Sequence, residues 1–266
     1  MGLLNIKLTM KNKWVLPSSL AAVFLVLISF VPPAKKITIY LIGDSTLAIK
    51  QTKAYPETGW GMPFVHFFDQ QVSIENRAQN GRSTKTFVSE NRWQAVMDSL
   101  KKGDYVFIQF GHNDEVIQKA TYTPIEAYEA YLLKFIVETR SKQAFPVLLT
   151  PVSRRQFDAS GKVRETHPGY SNSVRSIAQQ QKVPLIDADQ KSMALYQKLG
   201  PEGSKLLFNH LEPGVNPNYP DGKIDNTHFN ELGAREIAQI VLQEIRNLHL
   251  DLVNHIIKPP VKNNNK

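Results

Sequence analysis

The sequence predicts an α/β fold: a parallel sheet with helices on its faces. Two observations carry this. Short apolar runs rich in β-branched and aromatic residues alternate with segments of helical spacing from about residue 37 to residue 250. At 266 residues, 42% apolar and 21% charged, the chain can bury one core of catalytic size.

The predicted strands are Ile37 to Ile42, Val72 to Asn76, Tyr105 to Phe110, Pro146 to Thr150 and Val183 to Ile186, each short enough to be buried on both faces. The predicted helices are Met62 to Gln70, Val88 to Leu100, Pro124 to Lys142, Ser171 to Gln181, Gln190 to Leu199 and Glu231 to Leu248. In the third helix Ile125, Tyr128, Leu132, Phe135 and Ile136 recur at helical spacing and form a packing face. Two long loops are expected, Val152 to Gly169 with its Arg and His residues, and Gly200 to Asp225, dense in Pro and Gly.

Residues 1–34 read as an export signal or a retained N-terminal anchor. Lysines in the first thirteen residues precede the apolar run from Leu20 to Val31, and Pro32-Pro33-Ala34 only loosely follows the small-x-small rule for cleavage. Met10 offers an alternative start with a more compact basic region. This places the protein outside the cytoplasm, periplasmic or extracellular, with no stable membrane association unless the segment is retained. A single domain spans residues 35–257, and the polar stretch 258–266 is expected to be a disordered tail. The chain has no cysteine, hence neither disulfides nor a lipid-attachment thiol. Of the formal charge of +8, five units come from lysines before residue 37, and the +3 that remains shows no Lys/Arg stripe of the kind that binds nucleic acid.

The first strand stops at Gly43-Asp44-Ser45, which puts a serine hydroxyl at the carboxyl end of a strand, where open α/β sheets hold their ligands. Serine needs a base, and the base needs an orienting group. Asp225-Asn226-Thr227-His228 can supply both, if Asp225 curls back to the Nδ1 proton of His228 and leaves Nε2 for the serine. Asn80-Gly81 after the second strand and Gly111-His112-Asn113-Asp114 after the third lie at the same edge, so the amides of Ser45 and Gly81 and the side chain of Asn113 could receive an oxyanion.

These four blocks, Gly43-Asp44-Ser45, Gly81, Gly111-x-Asn113-Asp114 and Asp225-x-x-His228, resemble those of the SGNH (GDSL-type) hydrolase superfamily. The wider wording, such as Asn80-Gly81-Arg82-Ser83-Thr84-Lys85 and Leu149-Thr150-Pro151-Val152-Ser153-Arg154-Arg155, is similar to the rhamnogalacturonan acetylesterase-like branch. The resemblance implies a three-layer α/β/α sandwich of flavodoxin-like topology, with Ser45 as nucleophile, His228 as base and Asp225 as its orienter. It also implies removal of acetyl groups from a plant cell-wall polysaccharide without metal or organic cofactor.

Other readings are weaker on the residues. There is no Gly-x-Ser-x-Gly elbow, Gly-rich phosphate loop or His-Glu-x-x-His zinc helix. A lipid-directed esterase or thioesterase on the same fold would want an apolar groove, whereas the flanking segments are rich in Arg, Asn and Pro. A non-catalytic carbohydrate-binding protein would leave the Ser, Asp and His set without a purpose. Arg82, Arg154, Arg155, His167 and His210 are candidates for meeting a carboxylate or sugar hydroxyls, against the alternative of solvated loop charge. Trp60 and Trp93 are sugar-stacking or core residues, Asp44 caps a helix after Ser45 or polarises the site, and His112 packs or hydrogen-bonds.

Overall fold

A computed structural model describes residues 36–258. The N-terminal segment 1–34 and all but the first residue of the 258–266 tail lie outside the described residues. Five parallel strands form the central sheet: β1 (Ile37–Gly43), β2 (Val72–Asn76), β3 (Tyr105–Gln109), β4 (Phe145–Leu149) and β5 (Leu185–Ile186). Their spatial order is β2-β1-β3-β4-β5, so the chain reverses direction across the sheet at β1/β3. That switch opens a crevice at the carboxyl edge between these two strands.

Side-chain alternation along the strands divides the interior in two. Ile39 and Leu41 of β1, Phe107 of β3 and Val147 of β4 face one layer, packed on Ile237, Val241, Leu242 and Ile245 of α7 (Glu231–Asn247). Tyr40 and Ile42, Val106 and Ile108, and Leu148 face the other, packed on α3 (Arg92–Ser99), α4 (Ile125–Ser141) and α5 (Pro168–Gln181). The sandwich is therefore three-layered, as expected. Each large aliphatic side chain buried this way contributes about 1.5–3 kcal/mol relative to exposure, which is why both faces of β1 and β3 are apolar. On α4 the expected face holds: Tyr128, Leu132, Phe135 and Ile136 are buried and Ile125 is partly so.

Four elements differ from the sequence reading, each for a local reason. The helix expected over Val88 to Leu100 is two helices, α2 (Thr84–Ser89) and α3, because Asn91 takes a left-handed φ of 57° between them. A capping box between Ser83 and Thr86 starts α2 earlier than its β-branched residues suggest. Met62 to Gln70 is only a short helix, α1 (Gly61–Phe64), running into a 3-10 turn over Val65–Phe67. The fifth strand shrinks to two residues, since Pro184 has no N–H to give a ladder.

The fourth difference moves the site. Gly200 to Asp225 is not one irregular loop: α6 (Ala188–Gly203) kinks at Gly200, and β6 (Phe208–Leu211) pairs antiparallel with β7 (Lys223–Phe229). Pro and Gly concentrate in the connection between these strands, while the Phe208 and Phe229 rings pack tilted with centroids 5.1 Å apart and anchor the pair in the core. Asp225 and His228 therefore stand on a strand. Gly233 then lets α7 close on this ribbon, because a Cβ there would sit 2.0 Å from the Leu207 carbonyl oxygen.

Candidate active site

Ser45 leaves the end of β1 on a single tight turn rather than on a helix. Its neighbour Asp44, fully buried, accepts from the Thr46 N–H at 3.0 Å and from Thr46 Oγ1 at 2.8 Å. Asp44 thus caps that one turn; the helix it was expected to cap does not form. Thr46 Oγ1 in turn accepts from Gln109 Nε2 of β3 at 2.8 Å, and Gln109 Oε1 accepts from the Trp60 indole at 3.0 Å. The serine turn is pinned to both strands of the switch point. Burial pushes the Asp44 carboxyl up, but the adjacent His112 ring, 3.3 Å from Oδ2, and the Thr46 donors outweigh it and bring its pKa down to about 2.

The half-buried Ser45 hydroxyl meets His228 Nε2 at 2.9 Å, across 183 residues of sequence. His228 Nδ1 faces Asp225 Oδ2 at 2.9 Å, while Asp225 Oδ1 accepts the backbone N–H groups of Thr227 at 2.8 Å and His228 at 2.9 Å. Burial would raise the Asp225 carboxyl, but these bonds and the imidazole hold it well below the usual carboxylate range. The carboxylate is ionised and fixed at both oxygens. The Ser45 Oγ···His228 Nε2 contact, backed by Asp225 on Nδ1, has the geometry in which an imidazole can take a serine proton.

Gly81 sits in an exposed turn with φ of 74°, with open space where a Cβ would project. Asn113 is almost buried and gives one Nδ2 hydrogen to the Arg82 carbonyl at 3.1 Å, which orients its amide nitrogen toward the Gly81 turn. One φ > 0 glycine and one side-chain amide thus come to the edge that holds Ser45.

The remaining polar candidates are engaged with protein groups. Arg82 Nε bonds both Glu90 oxygens, at 3.1 and 3.0 Å, and its Nη1 bonds the Asn80 carbonyl. Arg154 and His167 share Glu115, and His167 is fully buried with Nδ1 2.8 Å from Glu115 Oε2. Burial and the nearby His112 bring the His167 pKa down to about 4 despite Glu115. Arg155 ties Asn226, Ser204 and Pro201 together, and His210 Nε2 donates to Asn226 Oδ1 at 2.8 Å. Trp60 and Trp93 are core residues, not stacking platforms: both are buried, and Trp93 donates its indole proton to Glu138 at 2.6 Å. His112 packs edge-on against His167 at 4.4 Å.

The sequence reading missed a charged network behind His228. Lys223 Nζ lies 3.3 Å from Asp225 Oδ2 and 3.3 Å from Glu57 Oε2, and Glu57 Oε1 pairs with Lys50 Nζ at 2.8 Å. Glu57, Asp225 and His228 offer ligand atoms within 4.8 Å of one another, the spacing a divalent cation would need. Two of those ligand atoms already bond each other and Glu57 holds two ammonium groups, so a cation would have to displace these partners. No periodicity or motif marks Lys50 and Glu57, which lie in the irregular connection after β1.

The fold and this relay have the design of a serine hydrolase built on a parallel α/β sheet, with its reactive groups at the switch point. The chain belongs to the GDSL-like Lipase/Acylhydrolase family, whose model matches residues 41–236. It is a carboxylic ester hydrolase. It is similar to rhamnogalacturonan acetylesterase RhgT of Bacillus subtilis (strain 168), with 42% identity over 84% of this chain and 95% of that protein. It is also similar to the probable rhamnogalacturonan acetylesterase YesY of the same organism, at 36% identity over 83% and 97%. Among solved structures, protein YXIM of Bacillus subtilis superposes with a TM-score of 0.70 at 26% identity, covering 82% of this chain and 58% of that one. The acetylxylan esterase Axe2 of Geobacillus stearothermophilus shares the fold, with a TM-score of 0.59 at 18% identity over 80% and 96%.

Proposed function

We propose that this chain removes acetyl groups from a plant cell-wall polysaccharide of the pectic, rhamnogalacturonan type through a Ser45 acyl-enzyme. The single observation that carries the chemistry is the 2.9 Å contact between Ser45 Oγ and His228 Nε2, with Asp225 behind it. Ser45 Oγ attacks the acetyl carbonyl carbon as His228 Nε2 takes its proton. The carbonyl oxygen becomes an oxyanion received by the Ser45 and Gly81 amides and Asn113 Nδ2. His228 then protonates the departing sugar oxygen, the C–O ester bond breaks, and the acetyl group stays on Ser45 as an ester. Water, deprotonated by His228, attacks that carbonyl carbon; the bond to Ser45 Oγ breaks as His228 returns the proton, which frees acetate and restores the hydroxyl.

The substrate class is supported by the names of the two relatives above and by the polarity of the surroundings. A cavity of about 410 Å³, lined by Lys50, Gln51, Thr52, Tyr55, Glu57 and Thr58 among others, shares Lys50 and Glu57 with the network behind His228. The ammonium, carboxylate and hydroxyl groups of this lining can meet sugar hydroxyls. Arg82, Arg154, Arg155 and His210 are the proposed outer contacts to the polymer, Arg82 by exchanging Glu90 for a sugar carboxylate. Export follows from this reading, since the polymer lies outside the cell. No helix among the described residues is long and apolar enough to cross a membrane.

Acetate release from acetylated rhamnogalacturonan, homogalacturonan, xylan and mannan tests the substrate. Rhamnogalacturonan is expected to be fastest, and a strong preference for an octanoyl over an acetyl ester overturns the reading. With p-nitrophenyl acetate, Ser45→Ala is expected to lose activity by several orders of magnitude. Wild-type turnover by that variant overturns the mechanism.

A further inference from the structure

Lys50 is an unusual lysine. Its side chain is 2% exposed, and its ammonium is held by two groups, Glu57 Oε1 at 2.8 Å and the side-chain oxygen of Asn80 at 2.8 Å. Asn80 immediately precedes Gly81, and its carbonyl is bonded by Arg82, so the Lys50 bond grips the turn that presents the Gly81 amide. Glu57, on the other side of the ammonium, also takes Lys223, and Lys223 reaches Asp225 Oδ2. A continuous chain of charge contacts thus runs from the Gly81 turn to the carboxylate that orients His228.

We propose that Lys50 is a positioning residue for ester hydrolysis: through Asn80 it fixes the Gly81 oxyanion donor, and through Glu57 and Lys223 it balances the charge around His228. This rests on the catalytic reading of Ser45, His228 and Asp225. A buried ammonium without its carboxylate would be costly, and a partly buried carboxylate beside the imidazole without its ammonium groups would add uncompensated negative charge there. Lys50 prevents both while bracing the turn. The charged groups beside the imidazole are Asp225 from β7 and Glu57 from the connection after β1; Lys223 of β7 pairs with both carboxylates, and Lys50 stands behind Glu57.

Three single variants of the full chain separate this role from simple stabilisation. Asn80→Ala cuts the brace but leaves the charges, so kcat for p-nitrophenyl acetate should fall roughly 10- to 100-fold with KM little changed and the acid limb of the pH profile unmoved. Glu57→Gln removes a negative charge facing His228, so the acid limb should move to lower pH. Lys50→Met leaves Glu57 less compensated, so the limb should move to higher pH while kcat falls as in Asn80→Ala. Opposite movements of the two limbs are not what a merely structural residue would give. If Lys50→Met does not fold, Asn80→Ala and Glu57→Gln still decide the matter. Unchanged kcat in Asn80→Ala, or a Glu57→Gln limb that stays put or moves upward, overturns the proposal. Ser45→Ala in the same assay keeps the two readings apart: its retained activity sinks the catalytic assignment, whereas its loss beside unaffected Lys50 and Asn80 variants sinks only this inference.

Discussion

Asp225→Asn should cost about 10⁴-fold in kcat while leaving the fold in place. The magnitude follows from which atom each oxygen serves. Asp225 Oδ1 accepts two backbone N–H groups, those of Thr227 at 2.8 Å and His228 at 2.9 Å. An asparagine must keep its carbonyl oxygen there, because turning the amide would set an NH₂ against two donors and forfeit both bonds, each worth about 1 kcal/mol. The NH₂ group therefore lands where Oδ2 was, 2.9 Å from His228 Nδ1, and donates to it. Nδ1 becomes an acceptor, the ring proton moves to Nε2, and Nε2 then points a hydrogen at Ser45 Oγ instead of a lone pair. At about 1.4 kcal/mol per tenfold, the loss is about 5.5 kcal/mol of transition-state stabilisation. The assay is steady-state hydrolysis of p-nitrophenyl acetate, with thermal unfolding as the check that the turn survives. A variant that keeps more than about a tenth of wild-type kcat, folded, would refute the reasoning.

Three further outcomes are expected. Asn113→Ala should lower kcat roughly 10²- to 10³-fold with little change in KM, as loss of one oxyanion donor does; a raised KM with kcat unchanged would point to ground-state binding instead. His167 makes stability fall with acid: its folded pKa is lowered from 6.5 to about 4, so the unfolded chain takes up a proton in that window that the folded chain refuses. Between pH 7 and 5 the urea midpoint should drop, by part of a limit of about 3 kcal/mol, and His167→Asn should flatten that slope; parallel slopes would remove His167 as the cause. Trp60→Phe leaves the fully buried Gln109 Oε1 without its donor and should cost about 1–3 kcal/mol in urea unfolding. No change in that midpoint would mean that Gln109 finds another partner.

The alternation of short β-branched runs with helical segments was enough to read the parallel sheet and the packing face of α4, because both periods report directly which side chains are buried. What the sequence misjudged was local backbone conformation under tertiary control. Asn91 breaks a helix only because the chain must turn there, and the Pro- and Gly-rich stretch after Gly200 hides β6 because four residues carry little periodicity. Trp60 and Trp93 read equally well as sugar platforms or core, and only their neighbours decide: each is enclosed, with its indole proton given to a protein oxygen.

The sequence by itself determined the family and the order of its blocks, Ser45, Gly81, Asn113 and the Asp225/His228 pair. Each block is a short local signal at the end of a strand or beside a turn. Tertiary structure alone decided that Asp225 and His228 ride on a strand paired with β6, that Asp44 caps a turn and not a helix, and that Glu57, Lys223 and, through Glu57, Lys50 join one charged network beside His228. Glu57 and Lys223 are 166 residues apart, and Ser45 and His228 are 183 apart. Charges in separate segments leave no period or spacing to read, and their energies exist only once the folded chain removes them from water and brings them within a few ångströms.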